Sequence, residues 1–209
     1  MGTKLSNAVA VVAALLLLGA CSETKVENKA ATEAKNKPAK PSEPVSGKTA
    51  FYEMYKPARA WATDLLPLSL ASDEVPGMKN DAGKAAMWTA VFVSPSKREA
   101  RTLTYSVTDQ GSSIRKGVSM GGAQVWSGQT AKSRPFQITE FAADSDAAYQ
   151  AALEKAGAWV KKHPEKTASL YLGNAARFPG PVWYVLWGDQ KTGYGVFVNA
   201  TTGAVAKSK

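Results

Sequence analysis

The chain has very little of the residue types that build covalent or metal chemistry. A single cysteine, Cys21, and a single histidine, His163, among 209 residues exclude a disulfide within the chain and leave no Cys/His set for a zinc or iron site. A Ser-His or Cys-His nucleophile pair has only His163 to draw on, and no serine near it sits in a Gly-x-Ser-x-Gly elbow. Directly before Pro164, that imidazole suits the C-terminal end of a helix, where the dipole favours it. No Walker-type or dinucleotide-binding glycine loop is present. Acidic residues are also few, 17 against 26 basic, for a net charge of +9. Lys4 and six further lysines precede Phe51 together with four glutamates, so the remainder keeps 19 basic and 13 acidic residues. Its basic side chains are scattered, as in Lys97-Arg98, Arg115-Lys116 and Lys161-Lys162, without a stripe interleaved with exposed aromatics, and no nucleic-acid partner is expected. The surplus suits anionic head groups or wall polymers, or simply a solvated surface. Long apolar runs are missing too: the one at residues 8–18 is shorter than the roughly 20 residues a spanning helix needs.

That short run is followed by Leu18-Gly19-Ala20-Cys21. Lys4 supplies a positive start, residues 8–18 an apolar centre and Gly19-Ala20 the small residues before a cleavage point. The pattern resembles the bacterial lipoprotein signal with its lipobox. The resemblance implies removal of residues 1–20, diacylglycerol on the Cys21 sulfur and acylation, as by palmitate, of the new amino group. Two or three acyl chains hold a protein stably in a bilayer where one does not. Ser22 after the anchor, not aspartate, implies the outer membrane facing the periplasm if the host is diderm. Residues 21–49 read as a disordered tether: lysine, glutamate, alanine, asparagine, threonine and three prolines with no aromatic residue bury too little apolar area to offset the entropy of ordering.

An internal repeat follows. Ala58-Arg59-Ala60-Trp61 is echoed 98 residues later by Ala156-Gly157-Ala158-Trp159, and Trp88-Thr89-Ala90-Val91-Phe92 is echoed 95 residues later by Trp183-Tyr184-Val185-Leu186-Trp187. Two matches in the same order at near-equal spacing indicate two copies of one supersecondary unit, placed at residues 50–143 and 144–209. In the second copy, Asp144 or Ser145 caps a helix, and Tyr149, Ala152, Leu153, Ala156, Trp159 and Val160 recur at helical spacing until Pro164 stops it. Strands are expected at 168–175, 181–188 and 194–199, with Asp189-Gln190-Lys191-Thr192-Gly193 turning the last hairpin. In the first copy a helix is expected to begin at Pro57, in its first turn. Strands are expected at 86–93, 101–108 and 113–118, with shorter ones at 123–126 and 136–139.

Ser145-Asp146-Ala147-Ala148 opening a helix, Val182-Trp183-Tyr184-Val185 on a strand and Val198-Asn199-Ala200-Thr201-Thr202-Gly203-Ala204-Val205 at the end resemble the PepSY family and its cystatin-like architecture. The family's usual ending carries aspartate where this chain has Asn199, which removes a charge a cation would use. The resemblance implies an α+β fold of two tandem PepSY/cystatin-like units, each a helix packed on an antiparallel sheet. It further implies periplasmic or cell-surface binding, with possible restraint of peptidases, and brings no catalytic residue.

Ser94-Pro95-Ser96-Lys97, Ser145-Asp146-Ala147 and Lys191-Thr192-Gly193 loosely mimic the motif set of penicillin-binding enzymes. The nucleophile of that set opens a helix, whereas Ser94 follows a strand and reads as a turn. The chain is therefore expected to be non-catalytic, with no cofactor and no metal site. Along Trp183-Tyr184-Val185-Leu186-Trp187 both faces are apolar, whereas a sheet covered on one side alternates with polar residues. Either another layer covers the second face or an aromatic surface stays open for a partner. Trp183, Tyr184, Trp187, Tyr194 and Asn199 are the candidate binding residues, and Cys21 is the lipidation site. The expected partners are the bilayer, through acylated Cys21, and an envelope protein or peptide. A structural or assembly role in an envelope complex is the alternative, with an unrecognised hydrolase behind it.

Overall fold

Where small apolar side chains recur every fourth residue the chain forms helices, and where β-branched and aromatic residues alternate it forms strands. The computed structural model describes residues 42–131 and 133–207. Cys21, the signal and the tether up to residue 41 lie outside the described residues. The tether expected to run through Thr49 gives way earlier, to strand β1 (Val45–Ser46) and helix α1 (Gly47–Trp61). Strands β2 (Leu66–Asp73), β3 (Lys84–Ala85), β4 (Met87–Ser94), β5 (Glu99–Ser106), β6 (Gly117–Met120) and β7 (Gln124–Val125) follow. A connector with a short 3-10 turn at Ile138–Glu140 leads to helix α2 (Ser145–Lys162) and strands β8 (Ala168–Asn174), β9 (Pro181–Trp187) and β10 (Tyr194–Asn199). The described chain is α+β: two helices and one large antiparallel sheet of order β10-β9-β8-β2-β4-β5-β6, with β7 also paired to β5.

Several expected elements are corrected. Helix α1 begins at Gly47, not at Pro57, and carries the proline in its interior. Ser46 caps it by accepting a hydrogen bond from the Thr49 amide, and buried Ala50, Phe51, Met54 and Ala58 provide the tertiary contact that offsets the roughly 3 kcal/mol cost of an interior proline. The 3-10 turn replaces the strand expected at 136–139, with the Glu140 carboxylate accepting from the Gln137 amide. The strand expected from residue 113 starts only at Gly117, because Gln110 and Ile114 exchange backbone hydrogen bonds across a turn. Strand β2 was not foreseen at all, yet it lies at the centre of the sheet, between β8 and β4.

The two helices and their strands come together in one sheet. Each half begins with a helix followed by antiparallel strands, three in the second half and more in the first, and the first strands of the two halves, β2 and β8, pair directly with Leu70 opposite Leu172. The described residues of 50–143 and 144–209 thus contribute to one continuous sheet. Both helices cover the same face. Beneath them Trp88 and Trp183, fully buried, meet edge to face with ring centroids 6.2 Å apart. Each indole N–H donates to the carbonyl two residues before its own half's helix: Trp88 to Val45 and Trp183 to Ala143, both at 3.0 Å.

The two helix N-termini meet at this centre. The Gly47 amide donates to the Ser145 hydroxyl (2.7 Å), and the Lys48 amide donates to Asp144 Oδ1 (2.8 Å), which also accepts from the Ser145 amide. One carboxylate so serves two positive helix ends that would otherwise repel. Helix α2 turns Ala148, Ala152 and Ala156 to the sheet; their small size lets the bulky indoles of β9 fill the layer beneath.

Ser94-Pro95-Ser96-Lys97 forms a turn, as its position after a strand indicated. The Ser94 hydroxyl donates to Asp64 Oδ1 (2.6 Å) and accepts from the Lys97 amide, while the Ser96 amide donates to Asp64 Oδ2. These hydrogen bonds, that from the Ser94 hydroxyl foremost, lower the Asp64 pKa from 3.8 to about 2. A carboxylate held low by folding stabilises the native state above its unfolded pKa and loses that contribution as pH falls. Acid titration is therefore expected to remove the contribution of this turn between pH 3.8 and about 2. Asp64→Asn should flatten that window in a pH series of urea unfolding; an unchanged slope would show that the turn is not coupled to folding.

Candidate functional site

A strand with one face under a helix leaves every second side chain on the other face. Trp183, Val185 and Trp187 point under the helices, Trp183 at 0% and Trp187 at 1% exposure. The expectation that these two tryptophans contact a partner is corrected: they are core residues, because α1 and α2 close over that face of β9. Trp187 packs against Tyr149 of α2, ring centroids 5.5 Å apart.

Tyr194 also lies on the helix side, at the rim. It is 37% exposed and sits 6.2 Å from Trp159, which stacks on His163 at 4.2 Å. His163 caps α2 and lies 3.9 Å from Glu165. Asn199 closes the terminal turn by accepting from the amides of Thr201 and Thr202. Its oxygen is committed to the backbone, as in an Asx turn.

Tyr184 lies on the opposite face, as Asn199 does at the strand's end, and there it belongs to a row. Strand register aligns Phe197, Tyr184, Tyr171, Ala71, Thr89, Thr104 and Ser119 side by side across seven strands. Every member is at least partly accessible, and Tyr171 is 48% exposed. Tyr184 and Phe197 stack at 4.5 Å, Phe178 meets Phe197 at 5.0 Å, and the Arg177 guanidinium lies 4.3 Å from the Phe197 ring centre. Such contacts fix the rings in place. Gly195 makes room for this: a Cβ there would fall 2.5 Å from the Tyr184 ring.

The rest of the face is poor in charge and mostly small. Its strand side chains carry one carboxylate, Asp73, and no cation. Burial raises its pKa, against the hydrogen bond donated by the Thr89 hydroxyl at 2.5 Å. Among the described residues no helix covers this face, and no group of three or more His, Cys, Asp or Glu side chains is placed to hold a metal ion. No described helix is long and apolar enough to cross a membrane.

Tyr171, Phe197 and Arg177 were not singled out in the sequence. Alternation marks Tyr171 and Phe197 as facing away from the buried Leu170, Leu172, Val196 and Val198, but alignment with Tyr184 depends on register across strands far apart in the chain.

No family model matches the chain, and no curated protein matches it. Among solved structures, that of a presumptive lipoprotein from Clostridium difficile 630 is similar at a TM-score of 0.46, with 10% identity over 77% of this chain and 91% of that one. Nothing is carried over from a likeness at this level.

Proposed function

We propose that the chain is a lipid-anchored, non-catalytic binding module of the bacterial cell envelope, and that the uncovered sheet face is its contact surface for a protein. The observation that carries this reading is the row from Phe197 to Ser119. In a chain with 26 basic and 17 acidic residues, the strand side chains on this face include one carboxylate and no cation. Protein interfaces are depleted of charge at their centre and enriched in tyrosine, phenylalanine and arginine. Surfaces that recognise proteins pair rigid tyrosines with small hydroxyl residues. Tyr171, Tyr184 and Arg177 at one end, with Thr89, Thr104 and Ser119 at the other, match that composition. The Cys21 signal supports the anchor, and the PepSY-like motifs support restraint of an envelope peptidase as the form the binding takes.

The test is site-specific photocrosslinking in the native envelope. A photoreactive phenylalanine at Tyr171 is expected to give a discrete protein adduct, and the same residue at Tyr52, exposed on α1, is expected to give none. Tyr171→Ser with Tyr184→Ser should reduce capture by about tenfold or more, the scale of a lost interface anchor. Because both rings lie outside the core, the melting temperature should move by only about 2 °C. Absence of any adduct from Tyr171 or Thr104 in the membrane fraction would overturn the assignment of this face. Cys21→Ser is expected to abolish processing and membrane retention, read by fractionation. Added in excess to envelope peptidases, the purified chain should inhibit one of them if restraint is its role.

A further inference from the structure

A second feature lies on the helix side of the molecule. Helix α2, the segment before β4 and the start of β8 enclose a cleft of about 350 Å³. Its inner wall is apolar, made by Tyr149, Val160, Leu170 and Trp187, while Lys79, Lys84, Lys161 and Lys166 stand around it with Asp81 as the one lining carboxylate.

The sequence offsets of the two halves point to why the cleft exists. The ring pair Tyr149–Trp187 (5.5 Å) has its counterpart in Phe51–Phe92 (5.4 Å), 98 and 95 residues earlier. On the α1 side that pair is closed over by Phe141 of the connector, 3% exposed and 5.3 Å from Phe51. The position 98 residues before Phe141 is Glu43, so among the described residues the α2 side receives no corresponding ring.

A defined turn forms one rim of the cleft. Asp81 and Lys84 exchange backbone hydrogen bonds of 3.1 and 2.8 Å across a two-residue turn in which Ala82 and Gly83 both have positive φ. A Cβ on Gly83 would lie 2.4 Å from the Ser145 carbonyl oxygen, so the turn is seated on the first residues of α2. Among the described residues none of the four ammonium groups forms an ion pair. Lys161 answers the negative end of the α2 dipole and Lys166 lies within electrostatic reach of the Asp189 carboxylate; Lys79 and Lys84 complete the ring of cations. Four like charges around a partly apolar cleft repel one another, and a bound anion relieves that repulsion.

We propose that this cleft binds a molecule with an anionic head and an apolar body, the head among the lysines and the body against Tyr149 and Trp187. Its size is at the lower end of ligand pockets, which selects a short or partly inserted apolar group. The probe is octyl phosphate below its micelle concentration, titrated into the full chain with tryptophan fluorescence as readout, beside inorganic phosphate and octanol. Octyl phosphate is expected to bind saturably and at least about tenfold more tightly than either half alone, since a charge-assisted hydrogen bond and a buried alkyl segment each contribute that much. Lys84→Gln with Lys166→Gln, both exposed, should weaken binding by about tenfold or more at an unchanged melting temperature. Equal affinity for octyl phosphate and octanol, or no effect of the double substitution, would overturn the proposal. Competition by phosphatidylglycerol vesicles but not by phosphatidylcholine vesicles would identify the anion as a lipid head group; binding without such competition would identify a soluble amphiphile.

Discussion

Trp183→Ala is expected to lower the unfolding free energy by about 3–5 kcal/mol, the range for truncating a large core aromatic. Trp183 is fully buried, meets Trp88 and Phe141 edge to face at 6.2 and 5.7 Å, and donates to the Ala143 carbonyl. Alanine removes the ring contacts, leaves that carbonyl without its donor and opens a cavity where the two halves meet. Trp183→Phe keeps most of the ring and loses the hydrogen bond, so its smaller cost, about 1–3 kcal/mol, isolates the polar part. Urea unfolding followed by circular dichroism measures both. Trp187→Ala should fall in the same range as Trp183→Ala, through loss of the Tyr149 contact. A Trp187→Ala protein of normal stability would contradict its placement in the core. The Trp88 and Trp183 substitutions should be non-additive, since their rings touch.

Gly47→Val is expected to destabilise by about 3 kcal/mol, the upper end for overpacking a core. Gly47 is the first residue of α1, and its conformation is not the reason for glycine. A Cβ there would fall 2.9 Å from the Trp183 ring, 3.2 Å from the Trp88 ring and 3.2 Å from Ser145 Cβ. All three neighbours are themselves fully buried, so none can give way without moving the meeting point of both helices. The shift would also strain the hydrogen bonds from the Gly47 and Lys48 amides to Ser145 and Asp144. Gly122→Ala, with nothing within 4 Å of the added carbon, is the matched control and should change stability by less than about 0.5 kcal/mol. Thermal melts of the two variants side by side give the comparison. A Gly47→Val protein as stable as the control would mean that the helix N-termini are not packed as described.

The second half of the chain was legible almost element by element. Asp144, Pro164 and the Gly-containing turn at 189–193 mark its boundaries, and local hydrogen bonding obeys them: Asp189 accepts from the amides of Lys191 and Thr192. The first half was less legible because its local signals oppose the outcome. Pro57 argues for a helix boundary, yet burial of Phe51 and Met54 carries the helix across it. Pro67 and Ser69 mask β2, whose register shifts between those two residues and whose place is secured by β4 on one side and β8 on the other. That strand forms because two neighbours supply its hydrogen bonds, not because its own residues prefer to be extended.

The candidate site shows the same division. By itself the sequence determined the resemblance to a lipobox at Cys21, the poverty in catalytic and metal-binding residues, the 98 and 95 residue offsets of the matched segments, and a β9 strand apolar on both faces. These depend on residue identity and short-range spacing, which are local quantities. Tertiary structure alone decided which face of β9 is covered, and so moved Trp183 and Trp187 from the candidate surface into the core. It alone aligned Tyr184 with Tyr171 and Phe197, and it alone gathered Lys79, Lys84, Lys161 and Lys166 around one cleft. Register between distant strands and the seating of a turn on a helix depend on contacts between residues up to about a hundred positions apart, and no local pattern in the chain encodes them.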